Sequence, residues 1–290
     1  MKKSSLIALF VLPILGCETT VDPVAHQNKL NSVDESVLIV DGNAEKLGLE
    51  KVLTIDHSRL ADQAGEYLAP SRVDFYTNDE LNTQLLKENL QVGLDLPFRV
   101  LNYVEDGQQK AVYTDEQFIQ KRHDINVNDK ALLERYAQQT TALTSGLNEV
   151  GPVESEGLAK NYGIETLVSE YDFDTTLENI KRDVLAEGDT VWFMNWDFKA
   201  RAESIGESLP DATLLVFGGP VPGAEAMTDF PSIGLDAFGQ KILVREENGQ
   251  VLVSYNNIVD MSELHYRDNA MPHKIINYRL KKTLSGAIEK

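Results

Sequence analysis

The chain reads as an α+β protein made of two similar domains, each a mainly antiparallel sheet with helices packed on one face. Three observations predict this. The first is a repeat: Ile55, Asp56, Ala61, Gly65 and Leu68, then Gly93-Leu94-Asp95, an Asp106-Gly107 turn, Tyr113 and His123, return about 142 residues later. The returning set is Trp196, Asp197, Ala202, Gly206 and Leu209, then Gly234-Leu235-Asp236, an Asn248-Gly249 turn, Tyr255 and His265. Self-similarity at a fixed spacing marks repeated structural units. The second is that both copies set β-rich runs on either side of Asp-Gly or Asn-Gly, dipeptides that fit a type I′ hairpin. The third is that stretches of helical period separate these runs, and strands in hairpins with interspersed helices argue for the α+β class. With 42% hydrophobic residues in 290, the chain can bury two cores.

In chain order, Lys2 and Lys3 precede an apolar run from Leu6 to Leu15 that ends at Gly16-Cys17. The run is too short to span a bilayer and has the layout of a signal peptide, expected over residues 1–16. Ile14-Leu15-Gly16-Cys17 resembles the bacterial lipoprotein box, which implies that Cys17 becomes the lipidated first residue of the mature chain. Cys17 is the only cysteine, so the mature protein has neither a disulfide nor a thiolate metal site. Stable acyl anchoring holds a protein on a membrane without crossing it. Glu18, by resemblance to the sorting rule of Gram-negative lipoproteins, favours the outer membrane, facing the periplasm. Without residues 1–16 the formal charge is near −21, and such a surface repels nucleic acid and anionic headgroups.

Residues 17–35 are polar and aperiodic and are expected to be a tether, followed by a first domain over 36–147, a linker over 148–162 and a second domain over 163–290. In the second copy, Ile164 to Tyr171 is an expected strand. Thr175-Thr176 opens a helix with Leu177, Ile180, Val184 and Leu185 on one face. Asp189 to Trp196 is a further strand, with Asp197 before a helix through Ile205. Leu214 to Phe217 leads to Gly218-Gly219-Pro220, read as a tight strand exit with positive φ. Lys241 to Arg245 and Val251 to Tyr255 form the hairpin, and Lys274 to Ile288 the terminal helix. The first copy has a matching hairpin, Val100 to Val104 with Lys110 to Tyr113, and a matching helix, Lys130 to Leu147. It is expected to lack about a dozen residues of the opening helix.

Ile55-Asp56-His57, then Ala61, Gly65, Leu68, Pro70, Asn78, Gly93-Leu94-Asp95-Leu96-Pro97, Tyr113 and His123 together resemble the bacterial family catalogued as domain of unknown function 302. The second copy carries Asp197, Gly206, Leu209, Gly218-Gly219-Pro220, Gly234-Leu235-Asp236, Tyr255-Asn256 and His265 in the same order. The resemblance implies an architecture similar to the TATA-binding-protein fold and brings no established activity. It also exposes departures: the His after Asp is His57 in the first copy and Phe198 in the second, and the family's Gly-Asn-Pro turn becomes Thr77-Asn78-Asp79 in one copy and Gly218-Gly219-Pro220 in the other.

Asp56 and Asp197 stand between a strand and a helix, where a carboxylate caps the first turn. Asp95 and Asp236 read as turn or cap residues. If His57, His123 and Asp95 converged, they would suit zinc or copper, although neither histidine belongs to a short ligand motif. No cofactor is predicted, and a metal is the weaker alternative. Tyr113 and Tyr255 each stand ten residues before His123 and His265. The candidate pocket is thus Asp56, His57, Asn78, Asp95, Tyr113 and His123, with Asp197, Gly218, Gly219, Asp236, Tyr255 and His265 as second-copy equivalents. Trp192 and Trp196 are expected on one face of their strand, in the core. The chain lacks Gly-x-Ser-x-Gly, a catalytic cysteine and a Walker-A lysine. The expectation is a lipid-anchored, non-enzymatic module that binds an envelope protein or small ligand, and its rival is a small enzyme or metal-handling protein.

Overall fold

The computed structural model describes residues 22–125 and 130–290. The signal segment and Cys17 lie outside the described residues. Each repeat contributes one five-stranded sheet. The first repeat runs α1 (Pro23–Leu47), β1 (Glu50–Asp56), α2 (His57–Gln63), β2 (Ser71–Thr77), α3 (Asp79–Glu88), a 3-10 turn (Leu90–Asp95), β3 (Phe98–Glu105), β4 (Gln108–Tyr113), α4 (Glu116–His123), α5 (Lys130–Leu143) and β5 (Val150–Pro152). The second runs β6 (Ile164–Val168), α6 (Phe173–Ala186), β7 (Val191–Asp197), α7 (Phe198–Ser204), β8 (Ala212–Gly218), α8 (Pro220–Met227), a 3-10 turn (Pro231–Leu235), β9 (Gln240–Glu247), β10 (Gln250–Asn256), α9 (Ile258–Tyr266) and α10 (Met271–Ile288).

The sheet orders are β1-β2-β3-β4-β5 and β6-β10-β9-β8-β7. Every neighbouring pair is antiparallel except β4 with β5. Both hairpins turn as expected: Asp106 and Gly107 have φ of 51° and 78°, Asn248 and Gly249 of 53° and 76°, and positive φ at both central residues is what a type I′ turn requires.

The expected tether and shortened helix are corrected by α1. It starts at Pro23, capped by the Asp22 carboxylate, and continues for 25 residues to the left-handed Gly48. Its core-facing stripe is narrow, Val33, Val37, Val40 and Ala44, so its composition looks like a polar linker. Ion pairs supplement the stripe: Asp34 with Arg59 at 2.7 Å, and Asp41 with Lys51 at 2.6 Å. The expected linker is likewise part of the fold. Val150–Pro152 pairs with β4 and fills the edge that β6 occupies in the second repeat.

Both faces of each sheet are covered, not one. In the second repeat Leu215, Phe217, Ile242, Val244, Val251, Val253 and Tyr255 share a cluster with Ile180 and Val184 of α6 and Leu280 and Leu284 of α10. Their strand neighbours Leu214, Val216 and Leu243 face the other way, into a cluster that continues through Ile55, Val73, Phe75 and Leu101 of the first repeat. This shared cluster joins the repeats. A bulge between Trp192 and Met194 sends the two tryptophans to opposite faces. Trp192 packs in the helix-side cluster and Trp196 in the shared one, each half-buried on an edge strand. Leu185 is likewise exposed rather than core-facing.

Candidate functional site: a buried ionic seam between the repeats

The two Gly-Leu-Asp segments end 3-10 turns that cross to the opposite repeat. The turn carrying Asp95 packs against β8 and β9, and the turn before Asp236 packs against β2 and β3. Glycine is required at both crossings by steric fit. A Cβ on Gly93 would lie 3.0 Å from the Phe198 ring, and one on Gly234 would lie 3.1 Å from the His57 ring. His57 and Phe198 therefore do equivalent work. Each opens the helix after its repeat's first long strand and lays a ring on the glycine of the other repeat.

The two aspartates meet three cations at the seam. Arg99 and Lys241, each the second residue of its strand, serve both carboxylates. Arg99 Nη2 lies 3.1 Å from Asp95 Oδ1 and 3.6 Å from Asp236 Oδ1. Lys241 Nζ contacts Asp236 Oδ1 and lies 3.7 Å from Asp95 Oδ1. Arg122 donates to Asp95 Oδ2 at 2.6 Å and to Asn256 Oδ1 at 2.7 Å, and Asn256 Nδ2 donates to Asp236 at 3.1 Å. His123 Nε2 lies 2.7 Å from Asp95 Oδ2. All six ionisable groups are at most 4% exposed. Burial opposes the charge on Asp95, but Arg122, the His123 hydrogen bond and Arg99 outweigh it and hold its pKa below the ordinary carboxylate value. Burial lowers the His123 pKa against the pull of Asp95, so the imidazole is neutral and donates through Nε2. Asp95 and Asp236 do end turns, but their carboxylates are the centre of an internal salt network.

The other sequence-predicted residues disperse. Asp56 accepts from Arg59 N at 2.9 Å, Asp197 from Ala200 N at 3.0 Å and Asn78 from Leu81 N at 3.0 Å, so these three are helix caps. His57 Nδ1 pairs with Ser71 Oγ at 3.0 Å, its ring lies 4.8 Å from that of Phe238, and burial pushes its pKa down to about 3. Asp95 and His123 converge; His57 is held by Ser71 instead. Tyr113 is half-buried at the end of β4, and Tyr255 donates to Glu165 at 2.8 Å. His265 Nδ1 lies 2.9 Å from Ser232 Oγ. Among the described residues, no group of three or more His, Cys, Asp or Glu can hold a metal ion.

Gly218 and Gly219 do not adopt positive φ. Gly219 opens α8, and at Gly218 the constraint is close approach, because a Cβ there would lie 2.0 Å from the Phe238 carbonyl oxygen. Gly218→Ala should therefore cost about 3 kcal/mol, read as a lower urea midpoint with an unchanged slope.

Arg99, Arg122 and Lys241 were not singled out from the sequence, and Asn256 only as a neighbour of Tyr255 in the repeated motif. A signal for two of them exists. Arg99 and Lys241 are basic residues inside apolar strands, at matching places after Gly-Leu-Asp, and a buried cation requires a buried partner.

A stretch of 116 residues is 28% identical to the "Fluoride-specific ion channel FluC 1" of Brucella suis biovar 1, covering 39% of this chain and 45% of that protein. The same figures hold for FluC 1 of Brucella abortus, with 43% of that protein covered. The chain spans less than half the length of these relatives. A crystal structure described as an uncharacterized conserved protein DUF302 from Bacillus stearothermophilus aligns with 16% identity and a TM-score of 0.37, over 43% of this chain and 95% of that one. The family profile "Domain of unknown function DUF302" matches twice, over residues 26–143 and 165–290, and the chain belongs to that family as a tandem of two copies.

Proposed function

We propose that the chain is a lipid-anchored envelope protein, facing the periplasm from the outer membrane, whose two repeats form one non-enzymatic module that binds a protein or small ligand. The observation that carries the non-enzymatic reading is the closure of the seam. Asp95, His123, Arg99, Arg122, Asp236 and Lys241 bond one another at 4% exposure or less, so this collection of ionisable side chains is shut away from substrate. The anchor rests on Gly16-Cys17 at the end of the short apolar run. Similarity to part of a membrane protein supports a place at a membrane. Fluoride conduction is not included, because among the described residues no helix is long and apolar enough to cross a membrane.

The test is mass spectrometry of the full chain recovered from a Gram-negative host, with Cys17→Ser beside it. The expected result is an acylated Cys17 and a membrane-fractionating chain, both abolished by the substitution. An unmodified Cys17 in a wild-type chain that fractionates as soluble would remove the anchor.

A further inference from the structure

Helix α10 has an outer face unlike the rest of this acidic protein. Met271, Ile275 and Tyr278 stand one turn apart and are 65%, 52% and 69% exposed. At 100° per residue Lys282 continues that stripe, with Lys274 and Lys281 along its side. All three lysines are exposed. The segment 271–290 holds five basic residues and one acid in a chain of formal charge −19. Lys281 lies 3.1 Å from Glu165, whereas Lys274 and Lys282 have no ion-pair partner among the described residues. On the adjoining helix Asp183 pairs with Arg182, and Glu187 just beyond its end pairs with Arg279 of α10, whereas Asp174 and Glu178 lie in its first two turns without an ion pair among the described residues. The matching helix of the first repeat, α5, turns Glu134, Gln138 and Thr141 to solvent, so the stripe is not a consequence of the fold.

An exposed apolar and aromatic line bordered by lysines is the composition of an interfacial helix, whose apolar side chains enter the headgroup boundary while the lysines reach anionic lipid. We infer that α10 docks the second repeat onto an anionic bilayer surface through Met271, Ile275, Tyr278, Lys274 and Lys282. This rests on the anchored reading above, since an anchor keeps the helix at high local concentration near one membrane. Anchor and docking face together fix which side of the module meets the lipid and which remains free for a partner.

The experiment uses the lipidated full chain in vesicles. Acylation blocks Cys17, so Ile275→Cys gives one reactive thiol for an environment-sensitive fluorophore. Expected is quenching by lipid-borne quencher in phosphatidylglycerol-containing vesicles, little in pure phosphatidylcholine, and at least a roughly 25-fold fall in the docked-to-undocked ratio on Lys274→Glu/Lys282→Glu, at about fivefold per lysine. Equal, weak quenching in both vesicles overturns the inference. So does a signal change that follows protein density without quencher lipid, which would mean contact between copies. If wild type instead takes label at Cys17 and does not sediment with vesicles, the anchored reading falls separately. The free chain is then titrated with anionic vesicles: binding lost in Lys274→Glu/Lys282→Glu upholds docking by α10, and no binding overturns it.

Discussion

Asp95→Asn is expected to lower the stability of the protein by about 3–5 kcal/mol, a fall in melting temperature on the order of 10 °C. The side chain keeps its shape and loses its charge, which leaves Arg99 and Arg122 without their nearest anion at 3.1 and 2.6 Å. Neither guanidinium can turn to water, because both are at most 1% exposed. Removing one partner of a buried pair costs far more than the pair contributes, since the remaining charge stays desolvated. Asp197→Ala is the comparison. It removes an exposed helix cap and should cost about 1 kcal/mol. A melting temperature that rises in Asp95→Asn would reverse the structural reading of the seam, because stability gained on removing a polar group is the mark of a site held under functional strain.

The repeat, the α+β class and the strand-turn-helix order were legible because they depend on local signals. Positive-φ dipeptides, capping aspartates and apolar period each act within a few residues. Helix α1 was not legible, because Asp34 and Asp41 hold it through partners at Arg59 and Lys51, and ion pairs leave no periodic trace. The two-sided burial of the sheets left a trace that points beyond one-sided packing: Ala212 to Gly218 is buried at every position, and Leu214-Leu215-Val216-Phe217 does not alternate. The ionic seam was half legible. Its aspartates stand in a repeated motif, but a carboxylate in a turn is ordinarily a cap, and only the crossing of each turn to the other repeat turns Asp95 and Asp236 toward cations. Convergence of His57 with Asp95 failed for the same reason, since the crossing puts the His57 ring over Gly234.

That crossing supplies the second large expected effect. Phe198 does in one half of the seam what His57 does in the other, so His57→Phe replaces a ring by the ring the fold already uses at the equivalent place. At pH 7 the variant loses the hydrogen bond with Ser71 and should be about 1 kcal/mol less stable. The order reverses in acid. Burial pushes the folded-state pKa of His57 down to about 3, against about 6.5 in the unfolded chain. Between these values the unfolded state holds a proton that the folded state does not, so stability falls as pH falls, by about 1.4 kcal/mol per pH unit for this one group. Asp95 acts only lower. Its depressed pKa gives stability that is complete above the unfolded value near 3.9 and is lost below it, and Asp236 and Asp260, whose pKa values burial raises, are common to both proteins, so the difference between them across roughly pH 4.5–6.5 reports His57. His265 and His123, also lowered by burial, keep some acid sensitivity in the variant. Urea unfolding at three pH values in that window should therefore show wild type ahead near pH 6.5 and His57→Phe ahead by roughly 1 kcal/mol near pH 5. Parallel curves would mean that the His57 imidazole takes up its proton as readily in the folded protein as in the unfolded chain, which a ring sealed between Ser71, Gly234 and Phe238 cannot do.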